Sequence, residues 1–144
     1  LDISFETFLP VKDQSNHKTG KEFFTLDKHN ADIINTNPKN IIAVGTTVIK
    51  CLESCTWNDG KIIPTTGEST IFIKPGYKFK VPIKAMVTNF HLPKSSLLLL
   101  TAAYAGRERI FQAYNDAVKE NYRFFSLGDA MMIFKKNKRK KLFL

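Results

Sequence analysis

The stretch Asn40 to Thr47, N-I-I-A-V-G-T-T, constrains the fold more than any other. Its continuous apolar run predicts a strand buried on both faces. Gly45-Thr46-Thr47 then turns the chain, and Val48, Cys51, Leu52 and Cys55 keep a helical period to about Thr56. A buried strand leading through a tight turn into a helix is the building unit of α/β folds. At such a junction, backbone amides and hydroxyls face out of the carboxyl end of the sheet. They can hold a phosphate, a carboxylate or a ribose hydroxyl, or Thr46 and Thr47 can simply cap the helix. No glycine-rich loop or Lys-Ser/Thr pair accompanies them, so a nucleoside-triphosphate site is not indicated.

The remaining pattern alternates strands and helices. Leu1, Ile3 and Phe5 alternate with polar residues, as in a strand with one buried face, and Pro10 ends it. Residues 12–21 read as a loop and Glu22 to Leu26 as a short strand. Asp27 can cap a helix that carries Ala31, Ile33 and Ile34 inward until Asn37-Pro38. Asn58-Asp59-Gly60 is a turn. Strands are expected at Ser69 to Ile73, Phe79 to Val81, Ala85 to Phe90 and Ala130 to Phe134. A helix with Pro93 in its first turn runs to Tyr104 or Ala105, stopped by Gly106. A second spans about Glu108 to Asn121 with Ile110, Phe111, Ala113, Tyr114, Ala117 and Val118 on its apolar face. The fold class is therefore α/β, a mixed sheet with flanking helices.

Two further junctions concentrate polar residues. In Thr88-Asn89-Phe90-His91-Leu92-Pro93 a strand ends and a helix begins. Asn89 can donate and accept, and His91 can exchange a proton near neutral pH. The same pair could instead satisfy buried backbone groups. In Arg123 to Ala130, Arg123 and Asp129 flank an aromatic pair in a turn. Arg123 could grip a carboxylate or phosphate, or pair with Asp129. Arg107 and Glu108 pose the same choice.

Composition limits the options. Among 144 residues, 43% are hydrophobic and 24% charged, which argues against disorder and allows one packed domain. No uncharged apolar stretch is long enough to span a bilayer, and no secretory signal is visible, which places the expected setting in the cytoplasm. The chain opens without Met directly into a strand-like pattern, as a piece of something longer would. Net charge is +9, but Lys135, Lys136, Lys138, Arg139, Lys140 and Lys141 crowd the last ten residues. That basic tail, 135–144, is either an electrostatic hook for nucleic-acid phosphates or a solvated terminus. Cys51 and Cys55 share a helix face whose side-chain directions disfavour a disulfide. Without neighbouring Cys or His they do not suggest a metal site.

Beyond these local signals, GTT with Leu52-Glu53-Ser54, Ile71 to Val81, TNFHLPKSSLLLL from Thr88, AYAGRE from Ala103 and YRFFSLGDAM from Tyr122 occur in a distinctive order. Together they resemble the C-terminal part of the S-adenosylmethionine:tRNA ribosyltransferase-isomerase family of queuosine biosynthesis, over residues 1–134. The resemblance implies part of an α/β-barrel-like domain. It implies transfer and isomerisation of the ribosyl moiety of S-adenosylmethionine onto 7-aminomethyl-7-deazaguanine in tRNA, giving epoxyqueuosine. S-adenosylmethionine would be a consumed substrate, with no cofactor and no metal. His91 would move a proton. Thr46, Thr47 and Asn89 would bind ribose or methionine groups, and Glu53 and Asp129 would neutralise the sulfonium or amino group. Arg107 and Arg123 would suit the methionine carboxylate or tRNA phosphate.

The chain departs from the family pattern at several points. The Gly-x-Gly-Thr-Phe turn is Ser4-Phe5-Glu6-Thr7-Phe8. His-x-x-His-x-Glu becomes His17-x-x-Gly20-x-Glu22, and Thr-Thr-Ser-Val-Arg becomes Thr46-Thr47-Val48-Ile49-Lys50. The usual Asp before Ile71 is Thr70, and one extra residue lies between Val81 and Ala85. The family's N-terminal half is missing. Activity is therefore expected only with that half; the alternative is a non-catalytic RNA-binding relative. An incomplete barrel has open edges, so the chain is expected to pair with the missing half or with itself.

Overall fold

The computed structural model describes residues 1–3, 10, 11, 17 and 19–135. Strand β1 (Glu22–Leu26) turns Glu22, Phe24 and Leu26 inward. Asp27 caps helix α1 (Lys28–Thr36) by accepting the Asn30 amide at 2.8 Å. Strand β2 (Ile41–Val44) leads into α2 (Thr46–Ser54), then the hairpin β3 (Trp57–Asn58) and β4 (Lys61–Ile62). Next come β5 (Thr65–Ser69), β6 (Ile83–Asn89), α3 (Ser96–Ala105), α4 (Arg107–Lys119) and β7 (Ala130–Phe134).

The central sheet runs β2-β6-β7, parallel between β2 and β6 and antiparallel between β6 and β7. It is mixed, as expected. Strands β1 and β5 form a separate antiparallel pair, with Glu22 opposite Ser69. Ala43, Met86 and Ile133 lie side by side on one face of the central sheet. They pack with Ile49 and Leu52 of α2, Leu100 and Tyr104 of α3 and Ile110 of α4.

The opposite face is open. Ile42 and Val44 are 50% and 66% exposed, against the expectation of a strand covered on both sides. Helices α2, α3 and α4 pack on the face of Ala43, Met86 and Ile133, while Ile42, Val44, Met132 and Phe134 form an exposed apolar surface. Leu1 and Ile3 are exposed too, not buried as their alternation suggested, while Phe5 lies outside the described residues.

Other departures have local causes. The strand expected at Phe79 to Val81 does not form, because the Lys80 and Val81 amides donate to the Glu53 carboxylate. The strand expected at Ser69 to Ile73 ends at Ser69 and begins earlier, where Thr65 and Thr66 pair with Leu26 and Thr25. Ile33 is 54% exposed because α1 turns Asn35 inward instead. Asn35 clamps Ile62 of the hairpin through two hydrogen bonds of 2.9 and 2.8 Å. Pro93 lies ahead of α3, whose cap is Ser95, with its hydroxyl oxygen accepting the Leu98 amide at 3.1 Å. Gly106, at φ +92°, ends α3 and begins α4, a backbone region costly for other residues. On α4, Phe111, Ala113 and Val118 of the expected apolar face are exposed. Cys51 and Cys55 are buried free thiols. A hydrogen bond between them raises the first and lowers the second. No described helix is long and apolar enough to cross a membrane.

Candidate functional site

The parallel pair β2-β6 ends in a hollow of about 350 Å³. Thr46, Thr47, Thr88, Asn89 and His91 line it, with Phe125 and Ser126 at one side. Two strand–helix junctions, some forty residues apart in sequence, thus meet at the carboxyl edge of one sheet. That edge is where α/β proteins place ligand sites.

Its floor is the first turn of α2. The Gly45 amide is taken by the Val87 carbonyl at 2.8 Å, and no side chain caps the helix. Neither Thr46 nor Thr47 therefore acts as the cap. The amides at the start of α2 and the helix dipole make this floor favourable to a carboxylate or other electronegative group. Thr47 leans on Glu22 of β1, its hydroxyl 3.5 Å from Oε1, a long contact. Glu22 in turn binds the Lys50 ammonium at 2.8 Å, in a pair whose side chains are 1% and 6% exposed. The Lys50 ammonium is thus a buried counter-ion beneath the floor.

The far wall comes from the end of β6. His91 is buried, its Nε2 2.9 Å from the Thr88 hydroxyl, and its amide donates to the Tyr114 hydroxyl at 2.7 Å. Burial pushes the imidazole pKa down to about 4, so the ring is neutral near pH 7. Asn89 Nδ2 donates to the Gly128 and Asp129 carbonyls at 3.2 and 3.4 Å. Among the described residues its Oδ1 has no hydrogen-bond partner. Behind this wall, Phe90 packs against the rings of Tyr114, Tyr122 and Phe124 at 5.2–5.7 Å. These contacts fix the strand end to α4 and to the loop 122–129.

That loop closes on itself. Asp129 accepts the Arg123 amide at 2.7 Å and its guanidinium at 3.1 Å. These bonds hold the Asp129 carboxyl below the usual carboxylate range. Arg123 and Asp129 thus pair with each other on the rim, and the loop between them presents Phe125 and Ser126 to the hollow. Phe125, at φ +69°, sits in the left-handed region, where a bulky residue is strained.

The other expected residues lie elsewhere. Glu53 is 1% exposed, and its oxygens accept from the Tyr77 hydroxyl and the Lys80 and Val81 amides at 2.9–3.0 Å. It clamps the 77–81 segment away from the hollow. Arg107 stacks on Phe111 at 5.3 Å beside a separate groove bordered by Lys74 and Leu98. Lys135 lies over the Phe79 ring, while Lys136, Lys138, Arg139, Lys140 and Lys141 are outside the described residues. Sequence reasoning missed Thr88, Phe125, Ser126 and the Glu22–Lys50 pair. Only the three-residue spacing of Thr88 and His91 hinted at one of these contacts.

This arrangement defines an α/β protein with a hollow at the carboxyl edge of a parallel strand pair. The chain belongs to the queuosine biosynthesis protein family, whose pattern matches residues 1–133. It is 49% identical over 138 residues to the S-adenosylmethionine:tRNA ribosyltransferase-isomerase of Clostridioides difficile, covering 92% of this chain and 40% of that protein. Identity to the protein of that name from Geotalea uraniireducens is 44% over 139 residues, covering 93% and 40%. The crystal structure of S-adenosylmethionine tRNA ribosyltransferase from Thermotoga maritima matches with a TM-score of 0.70 and 41% identity. That match covers 78% of this chain and 40% of the other. The chain therefore spans about 40% of the length of these relatives.

Proposed function

We propose that this chain supplies the S-adenosylmethionine-handling edge of a tRNA ribosyltransferase-isomerase. That enzyme transfers and isomerises the ribosyl moiety of S-adenosylmethionine onto 7-aminomethyl-7-deazaguanine in tRNA. The observation that carries the proposal is the convergence of Thr46, Thr47, Asn89 and His91 on one hollow, in a member of this family. The α2 amides and Thr46 hydroxyl suit the methionine carboxylate or the ribose hydroxyls, and the Asn89 Oδ1 suits a donor from the same ligand. His91 is kept neutral by burial and can accept the proton acidified by the adjacent sulfonium. Because burial disfavours the imidazolium, that proton is readily handed on to the departing adenine. Arg123 and Asp129 act by holding the loop that closes the hollow.

The open apolar face through Ile42, Val44, Met132 and Phe134 fits the part of the family polypeptide that this chain does not span, or a second copy of this chain. Turnover is proposed to need that cover and to take place in the cytoplasm. The test is release of adenine from S-adenosylmethionine with a tRNA substrate, by the chain alone and with the family's N-terminal half added. Turnover in the mixture, lost in His91→Gln, is expected. Near-normal turnover in His91→Gln places proton transfer elsewhere. Tight RNA binding with no S-adenosylmethionine binding identifies a non-catalytic RNA-binding relative instead.

A further inference from the structure

The end of the central sheet opposite the hollow carries a cluster of lysines without acidic partners. Lys84, the second residue of the central strand β6, is exposed at that strand's start, and Lys135 follows β7. Their neighbours Ala85 and Phe134 are register partners, and the Lys135 amide donates to the Lys84 carbonyl at 3.3 Å. The two ammonium-bearing side chains therefore occupy directly opposed cross-strand positions, where like charges repel. Lys84 Nζ reaches Asn40 Oδ1 at 2.8 Å, which brings the exposed Lys39 to the same edge. Lys135 lies over the ring of Phe79, next to the exposed Lys80. Among the described residues none of these four pairs with a carboxylate. The sequence supplies none nearby: residues 33–52, 69–107 and 130–144 contain no Asp or Glu. Among the described residues, Glu53, whose carboxylate reaches the neighbouring segment, is buried and turned to backbone amides.

The geometry points to a phosphodiester-binding surface at this end of the sheet, centred on Lys84 and Lys135 with Lys39 and Lys80 beside them. Its partner is RNA. Exposed ammonium groups spread over one end of the sheet suit a row of backbone phosphates better than a single small anion. Strand β6 has 7 residues. At about 3.3 Å per residue, it separates this edge from the hollow by roughly 20 Å. An RNA presenting a base at the hollow would thus meet the lysines through backbone well away from that base. The inference rests on the reading that the ligand of this family member includes tRNA, but the surface is independent of the hollow.

The test is binding of a fluorescent anticodon stem-loop RNA to the full chain across a potassium chloride series. The double variant Lys84→Glu/Lys135→Glu is compared with the exposed, charge-matched control Lys61→Glu/Lys119→Glu. The first is expected to weaken binding on the order of tenfold and flatten the salt slope by about one unit per lysine, with the control near wild type. Glutamine at both positions gives the same direction if the glutamates disturb folding. Equal losses in both doubles, an unchanged salt slope, no RNA binding by the wild type, or capture by phosphatidylserine vesicles in place of RNA overturns the inference. Calorimetry with S-adenosylmethionine, run in parallel, separates the two readings. RNA binding that depends on Lys84 and Lys135 in a chain that binds no S-adenosylmethionine sustains the surface and removes the assignment of the hollow.

Discussion

Lys50→Met would leave the Glu22 carboxylate, 1% exposed, without its 2.8 Å counter-ion beneath the floor of the hollow. The methionine fills most of the lysine volume, so cavity formation contributes little and the electrostatic term dominates. Removing one partner of a buried pair costs about 3–5 kcal/mol, because the remaining carboxylate stays desolvated after losing its counter-ion. For a chain of this size that corresponds to a fall in Tm of roughly 6–20 °C. Removing both charges, in Glu22→Leu/Lys50→Met, should recover most of this loss, since an apolar replacement of a buried pair is often neutral or better. Lys50→Arg keeps the charge but enlarges a side chain that is 6% exposed, at a cost of about 1–3 kcal/mol from overpacking. Urea denaturation of the wild type, the three variants and Glu22→Leu completes the double-mutant cycle. A loss below about 1 kcal/mol in Lys50→Met, or a double variant no better than the worse single, refutes the account of the pair as a desolvated, mutually dependent unit.

Two further outcomes follow from the wall of the hollow. The buried His91 titrates at about 4 in the folded chain and near its ordinary value when unfolded. Below the unfolded value the unfolded state binds the proton first. The stability tied to a neutral His91 is thus complete above about pH 6.5 and falls as pH drops towards 4, by up to ~3 kcal/mol. Denaturation from pH 7 to pH 4 should show that loss in the wild type and a flatter profile in His91→Gln; parallel profiles refute it. A Cβ on Gly128 would lie 2.5 Å from the Arg123 carbonyl oxygen and the Phe124 carbonyl carbon, both backbone atoms. Gly128→Ala should therefore open the 123–129 loop at about 1–3 kcal/mol. It should also speed amide exchange at Phe125, whose N–H is bonded to the Phe90 carbonyl at 2.8 Å. Unchanged exchange there refutes it.

The sequence was most informative where local chemistry decides conformation. Asp27, the Asn58 to Gly60 turn, the apolar run into Gly45 and the long helix beginning near Arg107 all act through contacts within a few residues, and each appears close to its expected place. The strings Gly45-Thr46-Thr47 and Thr88 to His91 also contain residues that line the floor and far wall of the hollow. Where a side chain could serve either fold or site, the sequence left the choice open. Glu53 and Asn89 are both polar residues at element ends. Three donors from residues 77–81 bind Glu53 into the interior, whereas the last turn before β7 leaves Asn89 lining the hollow.

Periodicity determined which segments are strands and helices, because each period depends only on neighbouring residues. It could not determine what covers a strand. The same apolar run Asn40 to Val44 is compatible with one or two packed faces, and only the placement of three helices on a single side leaves Ile42 and Val44 open. Nor could it join Glu22 to Lys50 or Lys84 to Lys135, since attraction and repulsion between charges depend on distance through space. The tertiary structure alone sets that distance.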